Sequence, residues 1–291
     1  MVEVSPVPRV ALVVPTYERE ALLAEALASL VSQPFGDWEC VVVDDGGTEG
    51  SDGAGGAAAL VARLSRGEPR LRYVRLSHTG SHGRARNAGI RATTAPLVAF
   101  LDDDDLLPAG ALEERVALID RFPDAPAAFG RVELFGERTG TWPSDLAEGR
   151  VDLLRLLRGN PVPLSTVVAR REALETAGLF PEEPVATPDY ELWLRLARGA
   201  PLASTRAVLA RYRVHPGNMS RRKALEVEEL TRLYDRLQSE WGLDPSLLAP
   251  ARRGLLRQRA RLAPSARERL LLRLRSLLPR AGHGGAGSRP R

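Results

Sequence analysis

Five apolar residues, Leu97-Val98-Ala99-Phe100-Leu101, run directly into four aspartates, Asp102 to Asp105. An unbroken apolar run of this length, with β-formers at Val98 and Phe100, reads as a strand buried on both faces. Such strands belong to parallel sheets, and open parallel sheets bind ligands just beyond the carboxyl ends of their strands. The four carboxylates fall at that position. Two charges ~4 Å apart at an effective dielectric of ~20 repel by about 4 kcal/mol. A divalent cation with oxygen ligands offsets that repulsion. So does a solvated acidic loop leading to the positive end of a helix after Pro108.

The rest of the amino-terminal half repeats the pattern. Val10 to Val14 is a first buried strand ended by Pro15, and Glu39 to Val43 a second that runs into Asp44-Asp45-Gly46-Gly47. Between them, Leu22, Leu23, Ala26, Leu27, Leu30 and Val31 form one helical stripe over Glu18–Ser32. About thirty residues from strand to strand, with one helix between, is the length of a βαβ crossover. Gly46 to Gly56 reads as a glycine-rich mobile loop, Ala57 to Leu64 as a short helix, and Leu71 to Leu76 as a third strand. Residues 84–93 then form a helix before the fourth strand at 97–101. Alternating strands and helices predict an α/β fold: a mainly parallel, Rossmann-like sheet flanked by helices.

Later segments are less regular. The spacing predicts helices over 108–122, 151–157, 171–177 and 189–198. Strands are expected over 127–135, 164–169 and 207–212, with an irregular loop over 136–149. From Ser220 the strand signals stop and arginine-rich helical segments follow. The expected division is a sheet domain over 1–220. A basic helical extension over 221–281 and a disordered tail over 282–291 complete it.

Composition narrows the class. No run of eighteen apolar residues spans a membrane, and Met1 to Arg9 lack a signal-peptide pattern. The single cysteine, Cys40, excludes an intrachain disulfide or a multi-cysteine zinc site, so a cytoplasmic location is expected, with peripheral contact at the inner membrane face as a further option. Residues 251–291 carry twelve arginines and one acid, whereas the first 250 carry 29 basic and 36 acidic residues. The basic character therefore belongs to the carboxyl-terminal end. There, arginines interleaved with Leu270, Leu271, Leu272, Leu274, Leu277 and Leu278 suit an amphipathic helix on anionic lipid or a solvated helix packed on the sheet domain. Nucleic acid is not expected, because no recognisable binding module accompanies the charge.

Parallel strands bring Pro15-Thr16-Tyr17-Glu18, Asp44-Asp45 and Asp102–Asp105 to one sheet edge, lining one crevice. Arg84, Arg86, Gly80 and Gly83 join the same side. A carboxylate-held cation with arginines nearby forms a diphosphate site. No G-x-G-x-x-G follows the first strand, no Walker-type phosphate loop is present, and no G-x-S-x-G elbow exists.

Together these residues resemble bacterial glycosyltransferase family 2, with the GT-A fold. The resemblance rests on Val13-Val14-Pro15-Thr16-Tyr17-Glu18, Val42-Val43-Asp44-Asp45-Gly46, Ala85-Arg86-Asn87-Ala88-Gly89 and Phe100 to Asp105. Ala177-Gly178-Leu179-Phe180, Asp189-Tyr190-Glu191-Leu192-Trp193-Leu194-Arg195 and Tyr212-Arg213-Val214-His215 follow in order. It covers about residues 8–220 and implies that the domain over 1–220 has a nucleotide-binding half of about 8–105 and an acceptor half of about 106–220. It implies an inverting, metal-dependent transfer from a nucleotide sugar, UDP-linked by preference, to an acceptor hydroxyl in glycan, polysaccharide or glycoconjugate synthesis. The acceptor would be a sugar, a small molecule or a lipid-linked glycan.

By that resemblance Pro15, Thr16, Tyr17 and Glu18 border the nucleotide base, with Asp45 on uracil N3–H; Tyr17 is otherwise a packed rim aromatic. Arg86 approaches the phosphates, or else braces the acidic loop through an ion pair, and Asn87 is structural. Asp104 binds Mn²⁺ or Mg²⁺, Asp102 faces the ribose or a metal-bound water, and Asp103 is a secondary donor contact. Asp105 reads as a helix cap. Asp189 is the catalytic base or an N-cap, and His215 reaches the metal or forms a local loop bond. Trp193 is core, and Trp142 a candidate platform for the acceptor. A sugar-phosphate nucleotidyltransferase and a non-catalytic nucleotide-sugar-binding module are the alternative functions.

Overall fold

A computed structural model of the protein describes residues 7–46, 56–183, 187–218 and 223–277. The expected glycine-rich loop, at residues 47–55, and the tail at 282–291 lie outside them. The chain divides into two compact units, residues 1–222 and 223–291.

In the first unit, β1 (Val10–Thr16), β2 (Trp38–Asp44), β3 (Leu71–Arg75) and β4 (Leu97–Phe100) form a wholly parallel half-sheet in the order β3-β2-β1-β4. Pro15 does not end β1. Val13 accepts the Leu101 N–H on the β4 side and Thr16 accepts the Asp45 N–H on the β2 side. Pro15 shares the side of Val13, beyond the last β4 pairing at Phe100, so the ladder loses no donor there.

The period-2 alternation of β1 splits its side chains between two helical layers. Val10, Leu12 and Val14 enter one core with Leu23 and Leu27 of α1 (Glu20–Val31), Leu60 of α2 (Ala57–Leu64) and Leu112 of α4 (Ala111–Arg121). On the opposite face Val13 meets α3 (His82–Arg91) at Gly89, where an added Cβ would lie 2.4 Å from Val13 Cγ1. Helix α3 begins two residues earlier than its apolar spacing predicts, because the Ser81 hydroxyl caps the Arg84 N–H at 3.1 Å.

Beyond β4 the pairing changes. Strand β8 (Val168–Arg170) lies antiparallel to β4 and to β5 (Ala127–Gly136), and β9 (Leu202–Val214) runs parallel to β5. The loop expected at 136–149 contains β6 (Gly140–Trp142), a hairpin partner of β5, and ends at β7 (Gly149–Val151). The segment expected as a strand over 164–169 is a 3₁₀ turn, Leu164–Thr166, followed by β8. Helix α5 (Leu153–Leu156), α6 (Arg171–Thr176) and α7 (Pro188–Gly199) complete the unit. Phe180 packs edge to face on both Phe100 and Trp193, and Phe100 lies tilted against Trp193, with ring centroids 5.3 to 6.5 Å apart, so Trp193 is core, as its helical spacing indicates.

The second unit is helical: α8 (Lys223–Trp241), α9 (Pro245–Leu262) and α10 (Ala266–Leu277), with α9 packing against both neighbours. Among the described residues no helix is long and apolar enough to cross a membrane.

Candidate functional site

The carboxyl ends of β1, β2 and β4 converge with the amino end of α3, the 164–166 turn and the end of β9. Of the β1 motif, Pro15 and Thr16 are buried, whereas Tyr17 and Glu18 are exposed. Glu18 has φ +52°, a left-handed conformation that turns the chain sharply out of the strand. Tyr17 stacks on His78 with centroids 4.4 Å apart and planes 26° apart. Its hydroxyl pKa is raised, first by desolvation and then by Glu18.

Asp44 and Asp45 are both buried. Asp44 accepts from Tyr73 Oη–H at 2.6 Å and from the Gly46 N–H at 3.0 Å. Asp45 is almost saturated by the 78–80 loop: it accepts the Gly80 N–H at 2.8 Å, the Thr79 N–H at 3.2 Å and the Thr79 hydroxyl at 3.1 Å. Asp45 therefore ties this loop to the end of β2.

The four aspartates of the acidic run diverge. Asp102 pairs with buried Arg86 at 2.8 Å, and the guanidinium lies 5.6 Å above the Phe180 ring. Both halves of the Arg86 expectation remain compatible with this geometry, since Arg86 Nε has no partner. Asp103 accepts the Thr16 hydroxyl at 2.7 Å, and burial pushes its pKa up to about 6 against that bond. Asp104 meets His215 Nε2 at 3.0 Å. Arg19, half-buried, spans Asp103 and Asp104 at 3.3 and 2.9 Å.

Asp105 is not a helix cap. Helix α4 begins at Ala111 with Gly110 as its cap residue, and Asp105 is buried six residues earlier. It accepts the Ser165 hydroxyl at 2.6 Å and the Arg213 N–H at 3.0 Å. Ser165 Oγ in turn accepts the Asp102 N–H at 3.1 Å. Beneath them, fully buried Arg115 donates to the carbonyls of Phe100, Ser165 and Leu209. Desolvation lowers its pKa to about 9, and Asp105 opposes that shift. Asp105 thus joins β4, the 164–166 turn and β9 at one point.

Asp189 is the second residue of α7; Thr187 is the cap residue and makes no side-chain cap bond, so Asp189 is not an N-cap. The carboxyl is half-buried, and its pKa is raised by desolvation, opposed first by the Arg86 charge. Asn160 Nδ2 donates to Asp189 Oδ2 at 3.2 Å, and the Val162 N–H fixes the amide by donating to Asn160 Oδ1 at 3.1 Å. Asp102 also acts on Asp189 electrostatically, so Arg86, Asp102 and Asp189 share one pocket of charge.

The metal expectation fits in part. Asp104 offers a carboxylate at the cleft, but Asp102 turns to Arg86, and no cluster of three His, Cys, Asp or Glu side chains suited to a cation occurs among the described residues. The Gly217 N–H donates to His215 Nδ1 at 3.1 Å, so the neutral ring carries its proton on Nε2, facing Asp104. In this ring orientation His215 orients Asp104 rather than presenting a lone pair to a cation. One or two carboxylates with substrate phosphates suffice for Mg²⁺, so the donor set suits a phosphate-bridged ion and not an all-protein cage.

Asn87 is structural: it donates to the Phe180 carbonyl and accepts the Phe180 N–H, at 2.9 and 3.0 Å. Arg195, at the end of the Asp189 motif, holds the 177–179 turn through the Ala177 and Leu179 carbonyls at 2.5 and 2.6 Å. His82 opens α3 at this edge, its pKa lowered first by desolvation and then by Arg86. Trp142 is exposed on β6. Sequence reasoning missed Arg19, Asn160 and Ser165, and it met Arg213 only as part of the Tyr212–His215 motif, without a role. Arg19 carried a signal too, as a cation beside Glu18 at the mouth of an acidic crevice.

An acid-lined cleft at the carboxyl edge of a parallel half-sheet, continued by antiparallel strands, defines a GT-A type glycosyltransferase architecture. The description of glycosyl transferase family 2 matches residues 11–178, and the chain belongs to that family. A glycosyltransferase of Rickettsia felis is 27% identical over 235 residues, 78% of this chain and 38% of that protein. The chain thus spans under two-fifths of the length of the first curated relatives it matches. The Escherichia coli UDP-Glc:alpha-D-GlcNAc-diphosphoundecaprenol beta-1,3-glucosyltransferase WfgD is 24% identical, over 78% of this chain and 84% of its own. In fold, the chain is similar to S. aureus TarS in complex with UDP-GlcNAc (TM-score 0.66, 20% identity, 92% of this chain and 79% of that one). It is also similar to the mannosyltransferase PcManGT of Pyrobaculum calidifontis in complex with GDP-Man and Mn²⁺ (TM-score 0.59, 22% identity, 94% and 80%).

Proposed function

We propose that the protein transfers a sugar from a nucleotide-sugar donor, UDP-linked by preference, to an acceptor hydroxyl with inversion at the anomeric carbon. The observation that carries this reading is the placement of Asp189. Asp189 is half-buried, its carboxyl desolvated and oriented by Asn160, within electrostatic reach of the Arg86–Asp102 pair at the sheet edge. A base for direct displacement must face the leaving group and be basic enough to take a proton near neutrality. In the transfer, the acceptor oxygen bonds to the anomeric carbon as the carbon–oxygen bond to the diphosphate breaks. The hydroxyl proton goes to Asp189, and the electron pair leaves with the nucleoside diphosphate.

Tyr17 and Glu18 border the base at the exposed end of β1, with Pro15 and Thr16 supporting them and Asp45 shaping the adjoining loop. Arg86 receives the diphosphate charge, with Asp102 positioned between it and the ribose side. Asp104, oriented by His215 and backed by Asp103, holds Mn²⁺ or Mg²⁺. An ion held there would supply positive charge to offset the charge on the departing diphosphate. The cation-bearing relative structure and the diphosphoundecaprenol-linked acceptor of WfgD support, respectively, the metal and a lipid-linked acceptor.

The test is nucleoside diphosphate release from a panel of nucleotide sugars with Mn²⁺, with and without glycan and lipid-linked acceptors. Release with at least one donor, abolished by Asp189→Asn, is the expected result. No release with any donor and acceptor overturns the reading.

A further inference from the structure

We infer that the outward face of α10 is an interfacial surface for anionic lipid, a property that goes beyond the transfer chemistry. Helix α10 packs on α9, with Ser276 buried and Leu272 half-buried. Leu270, Leu271 and Leu274 are instead 59%, 51% and 50% exposed. At 3.6 residues per turn these three leucines fall within a sector of roughly 100°. Arg267 lies within that sector, and Arg273 and Arg275 flank it. All three arginines are exposed, and none has an ion-pair partner among the described residues.

The charge of the second unit is polarised. Helix α8 holds three basic and five acidic residues, whereas residues 245–277 hold nine arginines and one acid, Glu268. A surface made only for solvent would not expose three neighbouring leucines, since contiguous exposed apolar patches mark interaction sites. A protein groove would take the leucines but would not call for arginines on both sides of them. Leucines that enter the acyl boundary while arginines meet phosphate headgroups satisfy both features at once. The strength of interfacial binding grows with buried apolar area and with attraction to anionic lipid, and α10 supplies both. The partner is therefore the lipid surface and not a single lipid molecule.

The experiment is cosedimentation of the full chain with phosphatidylcholine vesicles, with and without phosphatidylglycerol. The protein should pellet with the anionic vesicles and stay in solution with the neutral ones. The combined L270S, L271S and L274S variant should lose about tenfold or more in partitioning, as should combined R267Q, R273Q and R275Q, since apolar area and charge both contribute to the binding. The combined L270I, L271I and L274I variant, which keeps the apolar area, should bind like the parent. Nucleoside diphosphate release in solution should be unchanged in all three, which separates failure of this proposal from failure of the transfer reading. Equal vesicle binding by the serine variant and the parent, or displacement from vesicles by RNA, overturns the inference.

Discussion

Asp189 carries the sharpest predictions, because the Asn160 amide, donating to Oδ2, orients its desolvated carboxyl. Asp189→Asn should lower kcat by about 10²–10⁴-fold, the usual contribution of a general base, while UDP affinity measured by calorimetry stays within about twofold. The pH dependence follows from the sign of the shift. Asp189 acts as a base only when ionised, and desolvation raises its pKa, so kcat should fall on the acid side with a midpoint above the usual ~3.9 of an aspartate. The Asn160 bond favours the ionised form. Asn160→Ala removes it, and the acid limb should move to higher pH; a limb that stays in place contradicts the positioning role. Asp104→Ala should abolish the response of UDP affinity to a chelator, and the unaltered protein should lose affinity when EDTA is added.

At the scale of elements, the site depends on close contacts between helices and strands. Gly89 lies in α3 against Val13, where an added Cβ would meet Cγ1, Cγ2 and Cβ at 2.4, 3.1 and 3.2 Å. An alanine gains ~1 kcal/mol of helix propensity, but overpacking a core costs about 1–3 kcal/mol. The whole Val13 side chain would have to give way, so the cost wins. Gly89→Ala should lower Tm, and because α3 also carries Arg86, it should weaken UDP binding as well. Asp105 and Ser165 act at this scale too: one carboxylate receives β9, the 164–166 turn and, through Ser165, the Asp102 backbone.

For the molecule as a whole, charge separates the two units: residues 1–222 hold 26 basic and 30 acidic residues, and residues 223–291 hold 15 and 7. Their electrostatic tasks should therefore respond differently to salt. Raising ionic strength from about 0.1 to 1 M shortens the screening length from ~10 to ~3 Å. Vesicle partitioning should fall by about tenfold over that range, because exposed arginines act through solvent. Nucleoside diphosphate release should change by less than about threefold, because the Arg86–Asp102 and Thr16–Asp103 contacts are largely buried.

The strands β1, β2 and β4, and the meeting of their acidic ends, were legible in order because local periodicity encodes a buried strand and parallel topology does the rest. The glycine of Ala85-Arg86-Asn87-Ala88-Gly89 and the arginine of the Asp189 motif were legible as pattern; their contacts with Val13 and with the 177–179 turn were not. What the chain could not reveal locally is which aspartate does what. Asp102 to Asp105 are chemically identical neighbours, and they part only because Arg86, Thr16, His215 and Ser165 arrive from 16, 87, 111 and 60 residues away. The antiparallel joins of β8 and the short β6 were hidden for the same reason: their pairing partners, not their own sequences, make them strands. Periodicity and motif order therefore determined the class of fold and the edge where the site lies. Long-range hydrogen bonding and burial decided the task of each carboxylate, because desolvation and partner geometry exist only once distant segments have packed.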